Sequence, residues 1–321
     1  METNKYAWMP LTKASHRNIK ECEVILQCGE FKYRMIREWA SFPKEISNCI
    51  ISGVACDNED NVYIACRVPK YPIAKFDLNG NFIKYIGVGM DIGRAHGISL
   101  TKDKNIWLSD DKYHVARLFN QDGECIKVLG NYKKCSDTGF DSSLGHNYLA
   151  YLTIKYLGKP FNKPTKVIEA TDGKLYASDG YGNAAIHVFS NEGELINSWG
   201  GPGQLDGEFN IPHSVCVDKI GRIWVTDRDN NRVQIFDKKG KHLKTINGLL
   251  YPAETWISKK YAYIAEMDGR ISIYNMMNFN LVSQLGYSGS LYYTHSITGD
   301  SNSNLYLGLF GEYTLVKLER I

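Results

Sequence analysis

The chain has 321 residues, a formal net charge of +3 and 43% hydrophobic residues. So small a charge, with Lys and Arg scattered over turns and strand ends, lacks the basic stripe that binding a phosphate backbone requires, and no nucleic-acid partner is expected. No apolar run is long enough for a membrane span or a secretory leader, and the eight cysteines lack paired CxxC spacing, so a cytoplasmic protein with reduced structural thiols is expected.

Residues 1–30 read as an N-terminal arm. The segment YRMIREWA at 33–40 is a spare strand with no local partner. From Ser52 a unit then repeats: a short apolar strand, a polar turn with Asp, Asn or Gly, a second strand rich in Tyr, Trp, Val and Ile, and a third that ends in Phe-Asp or similar. It begins at Ser52, His96, Thr165, His213, Ala253 and His295, as in SGVACDNEDNVYIAC, HGISLTKDKNIWLSD and HSVCVDKIGRIWVTD. A period of about 40–45 residues with roughly four strands per unit is the pattern of a β-propeller blade. The predicted fold is therefore all-β: one six-bladed propeller over 31–321. The last unit runs out of residues after its third strand, and the N-terminal strand is expected to close the ring. One interval is too long, and places an insertion at 130–163; repeat arrays put such insertions on one face, often the binding face.

Three of the six units open on a histidine, and they alternate: His96, His213 and His295. Equivalent positions of alternate blades in a six-membered ring lie about 120° apart, so their side chains converge on the axis. The intervening anchors Ser52, Thr165 and Ala253 are small and leave room for a metal and a ligand. Three neutral nitrogen donors with an open fourth position suit a catalytic zinc, and the same donor set also takes Fe2+, Mn2+ or Ni2+. In each blade the end of the second strand returns beside the start of the first. Residues fifteen or sixteen places after an anchor therefore share the histidines' rim: Arg67, Asp111, Gly180 with Tyr181, and Arg228. Guanidinium groups there suit a carboxylate substrate, and a phenol beside a dication and guanidinium groups can act as a general base. Each has a plainer alternative: the arginines pairing with Asp227 or Asp229, Tyr181 packing on Trp199.

The segments SDGYGNAAIHVF, EFNIPHSVCVD, VTDRDNNRVQIFD and RAHGISL resemble the peptidyl-α-hydroxyglycine α-amidating lyases (peptidylamidoglycolate lyases) and their bacterial NHL-repeat relatives, from about residue 33 to the end. The resemblance implies zinc on His96, His213 and His295, a catalytic base at Tyr181, and active-site arginines at Arg67, beside the phenolate, and Arg228, on the carboxylate. It implies cleavage of the C–N bond of an N-acyl or N-carbamoyl α-hydroxyglycine, a small carboxylate-bearing molecule, to an amide and glyoxylate. Without a hydroxylase domain ahead of the propeller, such a substrate would come from elsewhere, and the insertion would narrow the mouth. The chain departs from the family at Tyr293, where the substrate-contacting wall has methionine, and at Gly182, where a disulfide cysteine is replaced. Ser296 stands where the family has an acidic residue for a structural Ca2+. Backbone carbonyls near Val54 and Ile98 still offer oxygen donors, but loss of the carboxylate argues against that ion. Propeller lactonases and streptogramin-type lyases need acidic residues at the central metal, and no anchor here is acidic. The alternative to an enzyme is a non-catalytic NHL-repeat propeller whose rim binds a protein or RNA partner.

Overall fold

The computed structural model describes residues 24–286, 291–310 and 315–321. Its strands form six antiparallel sheets, so the predicted six-bladed propeller is what the chain adopts. Blade one holds Ile51–Cys56, Val62–Cys66, Ile73–Phe76 and Phe82–Ile86; blade two begins at Ala95–Leu100, blade three at Pro164–Glu169, blade four at Pro212–Val217, blade five at Pro252–Ile257 and blade six at Thr294–Gly299. Polar turns set the hairpins. In blade one the Asp57 carboxylate accepts the backbone N–H groups of Glu59 and Asn61, both at 2.9 Å, and Asp218 does the same for Ile220 and Arg222 in blade four, an Asx-type closure that competes with continued strand.

The ring closes as expected. Phe31–Ile36 pairs antiparallel with the C-terminal strand Leu315–Arg320, matching Tyr33 to Arg320 and Met35 to Leu318. That strand ends at Ile36, short of the predicted Ala40. Residues Val24–Cys28, within the segment read as an arm, add a fifth strand outside it. Between Gly130, the last residue of blade two, and Pro164 lies the insertion, which holds a short 3-10 turn at Ser142–Leu144 and one helical turn, Tyr148–Tyr151.

The core is distributed between blades rather than gathered in one place. Ala55, Tyr63 and Ile73 of blade one pack on Ile98, Ile106 and Leu108 of blade two, and Trp224 and Val233 of blade four pack on Ala262 and Ile264 of blade five. The seam between the last blade and the first is filled in the same way by Tyr306 and Leu315 against Val62 and Phe76. Every blade thus buries apolar faces on both neighbours, which is what stabilises a ring of sheets that cannot fold singly. Among the described residues no helix is long and apolar enough to cross a membrane, and the seven described cysteines are free thiols.

Candidate metal centre

One irregularity recurs in the innermost strand of every blade. Pairing with the second strand slips between Ile51 and Gly53, Ala95 and Ile98, Pro164 and Lys166, Pro212 and Ser214, Pro252 and Glu254, and Thr294 and Ser296. The residues released from the ladder include all six anchors: Ser52, His96, Thr165, His213, Ala253 and His295. A bulge re-aims its side chain, and here all six line one cavity of ≈ 10 Å³ on the axis, room for about one water or ion.

The three imidazoles form a near-equilateral triangle, with ring centroids 4.9, 4.9 and 4.6 Å apart. Each donates its Nδ1–H to the anchor carbonyl of the next blade: His96 to Thr165 at 2.8 Å, His213 to Ala253 at 2.8 Å, His295 to Ser52 at 2.9 Å. These bonds fix the tautomer and leave every Nε2 with a lone pair turned inward. One potential ligand atom from each lies within 4.8 Å of the others. The Tyr181 hydroxyl sits between two of them, 2.8 Å from His213 Nε2 and 3.0 Å from His96 Nε2. It has one proton and can satisfy only one of the two; His295 Nε2 is buried with no partner at all. Buried acceptors aimed at one point without donors are costly, and a cation removes the cost. The residues present therefore fit a metal. Burial comes first in pushing all three imidazoles well below their ordinary pKa, helped for His96 and His295 by neighbouring imidazoles and for all three by Arg67 or Arg228, so they are neutral donors.

The rim residues follow directly after each second strand. Arg67, Asp111, Arg228, Met267 and Phe310 each donate their backbone N–H to the segment entering the first strand, as in Arg67 to Ile50 and Arg228 to Ile211, both at 3.0 Å. Gly180 lets Tyr181 in: a Cβ on it would lie 2.5 Å from the Pro212 carbonyl oxygen. Tyr181 packs with Tyr151 and Ile211, not on Trp199, whose ring neighbours include Tyr176 and Phe236. Burial raises the Tyr181 phenol, while Arg228 and Arg67 pull it down. Arg228 lies over the phenol ring, its Nη1 3.4 Å from the hydroxyl, and its Nε bonds Asp229 at 2.7 Å. Arg67 sits instead over Phe310, which stacks on His295 at 4.3 Å, and its buried Nε has no partner. Arg228 thus contacts the phenol directly, while Arg67 acts on it through its charge and keeps an unused Nε donor.

Tyr293, with a left-handed φ of 60°, lies against Tyr292, ring centroids 4.1 Å apart and tilted by 38°. Val54 and Ile98 line the chamber at the opposite end of the channel together with Lys166. The Lys166 ammonium is ion-paired to the buried Glu254 carboxylate, which also accepts the Ile297 N–H at 3.0 Å. A cation already stands there, so these residues do not fit a structural Ca2+. Sequence reasoning missed Phe310, which the same spacing from His295 finds, and Met267, which lies fourteen places after Ala253, one short of that spacing. It also missed Arg94, clamped on Asp111 at 2.6 and 2.8 Å, and His146, whose ring lies 4.5 Å from Tyr181; no local pattern marks either.

A six-bladed propeller with a tri-histidine axial site is the class these features define. The NHL repeat matches residues 209–236. NHL repeat-containing protein 3 of Mus musculus is 29% identical over 185 residues, 55% of this chain and 48% of that protein. Peptidyl-alpha-hydroxyglycine alpha-amidating lyase 1 of Drosophila melanogaster is 30% identical over 151 residues, 44% of this chain and 25% of that protein. The match thus spans about half or less of these relatives' length. A streptogramin B lyase structure superposes with a TM-score of 0.63 at 13% identity, covering 90% of this chain and 98% of that one, a likeness of fold alone. The chain carries an NHL repeat and is related in sequence to the amidating lyases.

Proposed function

We propose that the protein is a metal-dependent carbon–nitrogen lyase that cleaves an N-acyl or N-carbamoyl α-hydroxyglycine to an amide and glyoxylate. The observation that carries this reading is the Tyr181 hydroxyl held between two inward-facing imidazole nitrogens of a tri-histidine site. The relationship to an amidating lyase supplies the reaction class.

Zinc held by His96, His213 and His295 would supply a Lewis acid that polarises a substrate oxygen. Arg67, with its unused buried donor, binds the substrate carboxylate. Tyr181, as phenolate, takes the proton of the α-hydroxyl group; the O–H electron pair becomes the new C=O bond, the C–N bond breaks, and its pair goes to the amide nitrogen. Tyr181 then returns the proton to that nitrogen, so the balance closes with no other reactant. Arg228, kept charged by Asp229, stabilises the phenolate. The substrate is a small carboxylate, and the free thiols suit the reducing cytoplasm.

The test is glyoxylate release from N-acetyl-α-hydroxyglycine by purified protein, repeated after chelation and again after zinc is restored. Turnover that is lost and then regained supports the lyase. No glyoxylate from zinc-loaded protein sinks it and leaves a binding propeller.

A further inference from the structure

Tyr181, the base in the reading above, is only 3% exposed, and what covers it comes from the 130–163 insertion. His146 lies edge-on to its ring at 4.5 Å and Tyr151 lies at 5.8 Å, tilted by 32°. Tyr151 is itself buried, in one apolar cluster with Tyr181, Ile211 and Phe140, while His146 keeps an outer face in solvent. Asn147 caps the helical turn that carries Tyr151, accepting the Ala150 N–H at 3.2 Å. His146 is tied down from the opposite side: Arg94 Nη2 lies 3.2 Å from its Nδ1, and both Asp111 oxygens hold that guanidinium.

The roots of this cover are as firm as its tip. Thr138 Oγ1 donates to the Gly182 carbonyl at 2.6 Å, Asn183 Nδ2 to Gly158 at 2.9 Å, and the Asn162 N–H to the buried Asp179 carboxylate at 2.7 Å. Three separate bonds bind it to the end of the second strand of blade three, at Asp179, and to the turn that follows, at Gly182 and Asn183, on either side of Tyr181. It is built as part of the wall, not as a flap.

We propose that this roof makes the protein selective for α-hydroxyglycine derivatives with a small N-acyl or N-carbamoyl group, against peptidyl ones; the proposal rests on the lyase reading. In that reaction the scissile nitrogen must come within reach of the Tyr181 oxygen, because the same phenol takes the hydroxyl proton and hands it on. Whatever is bonded to that nitrogen is then directed against the wall that Tyr181, Tyr151 and His146 share. An acetyl or carbamoyl group is short enough to end there. A peptide continues through the space that Tyr151 and His146 fill.

The experiment compares N-acetyl-α-hydroxyglycine with an α-hydroxyglycine-extended tetrapeptide, measuring glyoxylate with zinc-loaded wild type, His146→Ala and the His146→Ala/Tyr151→Ala double variant, each checked for zinc content. The wild type should favour the small substrate by about 100-fold in kcat/KM. The variants should gain on the peptide by about tenfold or more, chiefly through KM, which lost stability alone would not produce. Should the double variant fail to fold, the single change at exposed His146 carries the test. Wild-type rates on the two substrates within about threefold, or zinc-loaded variants with no gain on the peptide, overturn the roof while leaving the lyase standing. Glyoxylate from neither substrate removes the lyase reading, and the roof's role with it.

Discussion

At the scale of single residues, the division of labour between Tyr181 and the histidines can be separated by measurement. Tyr181→Phe removes one hydroxyl that contacts His213 and His96 but none of the nitrogen donors. It should keep its metal and lose about 10²–10⁴-fold in kcat; full turnover in the variant removes Tyr181 from the mechanism. Arg67 and Arg228 differ in what holds them, since Arg228 has Asp229 at 2.7 Å and Arg67 has an unused Nε over Phe310. Arg67→Ala should therefore raise KM for the carboxylate substrate by about 10–100-fold, the worth of a charge-assisted bond, and an unchanged KM would contradict that role. The triad was legible because a repeat turns sequence spacing into position on a ring, and the same rule found Arg67, Tyr181 and Arg228. Phe310 obeys it too and Met267 falls one place short of it, but as apolar residues they carried no chemical signal. Which arginine meets the phenol was not legible, because it depends on side-chain direction and on Asp229. Nor was His146, which meets Arg94 across 52 positions of chain.

At the scale of elements, the carboxylate that closes the second strand of blades two to five, Asp110, Asp179, Asp227 and Glu266, acts as a clasp. Asp227 accepts the Asn210 N–H at 2.7 Å, Arg232 Nε at 2.7 Å and Asn230 Nδ2 at 2.8 Å, and Asp110 holds Gly93, Arg94 and Arg117 similarly. The clasp fixes the loop that enters the first strand, and so the height of the histidine. Asp227→Ala leaves buried Arg232 without its carboxylate and should cost about 3–5 kcal/mol in chemical denaturation; a loss below about 1 kcal/mol would mean the clasp is not structural. The strands themselves were legible from alternation and Asx turns. The bulges were not, since a ladder slip is a relation between two strands and leaves no mark in either. The outer strand Val24–Cys28 escaped notice for a related reason: its partner Phe31–Ile36 is itself paired to the far end of the chain.

For the molecule as a whole, ring closure brings the three histidine strands to the axis, and the contents of that axis decide how the fold responds to ligands. Toward one mouth stand neutral imidazoles that gain from a cation; below them the Lys166–Glu254 pair supplies its own. Calcium chelation with EGTA should accordingly leave the melting temperature unchanged, whereas Lys166→Met, which strands the Glu254 carboxylate, should destabilise by about 3–5 kcal/mol; a calcium-dependent melting temperature would show that the internal pair does not replace an ion. Zinc should act in the opposite sense, stabilising by about 2.7 kcal/mol at a hundredfold excess over its Kd. The most direct test of the whole account is elemental analysis of the purified protein, wild type beside His213→Ala. About one zinc per chain is expected, lost when that imidazole is removed; wild type that holds no stoichiometric metal even after zinc is added back would overturn the tri-histidine metal site.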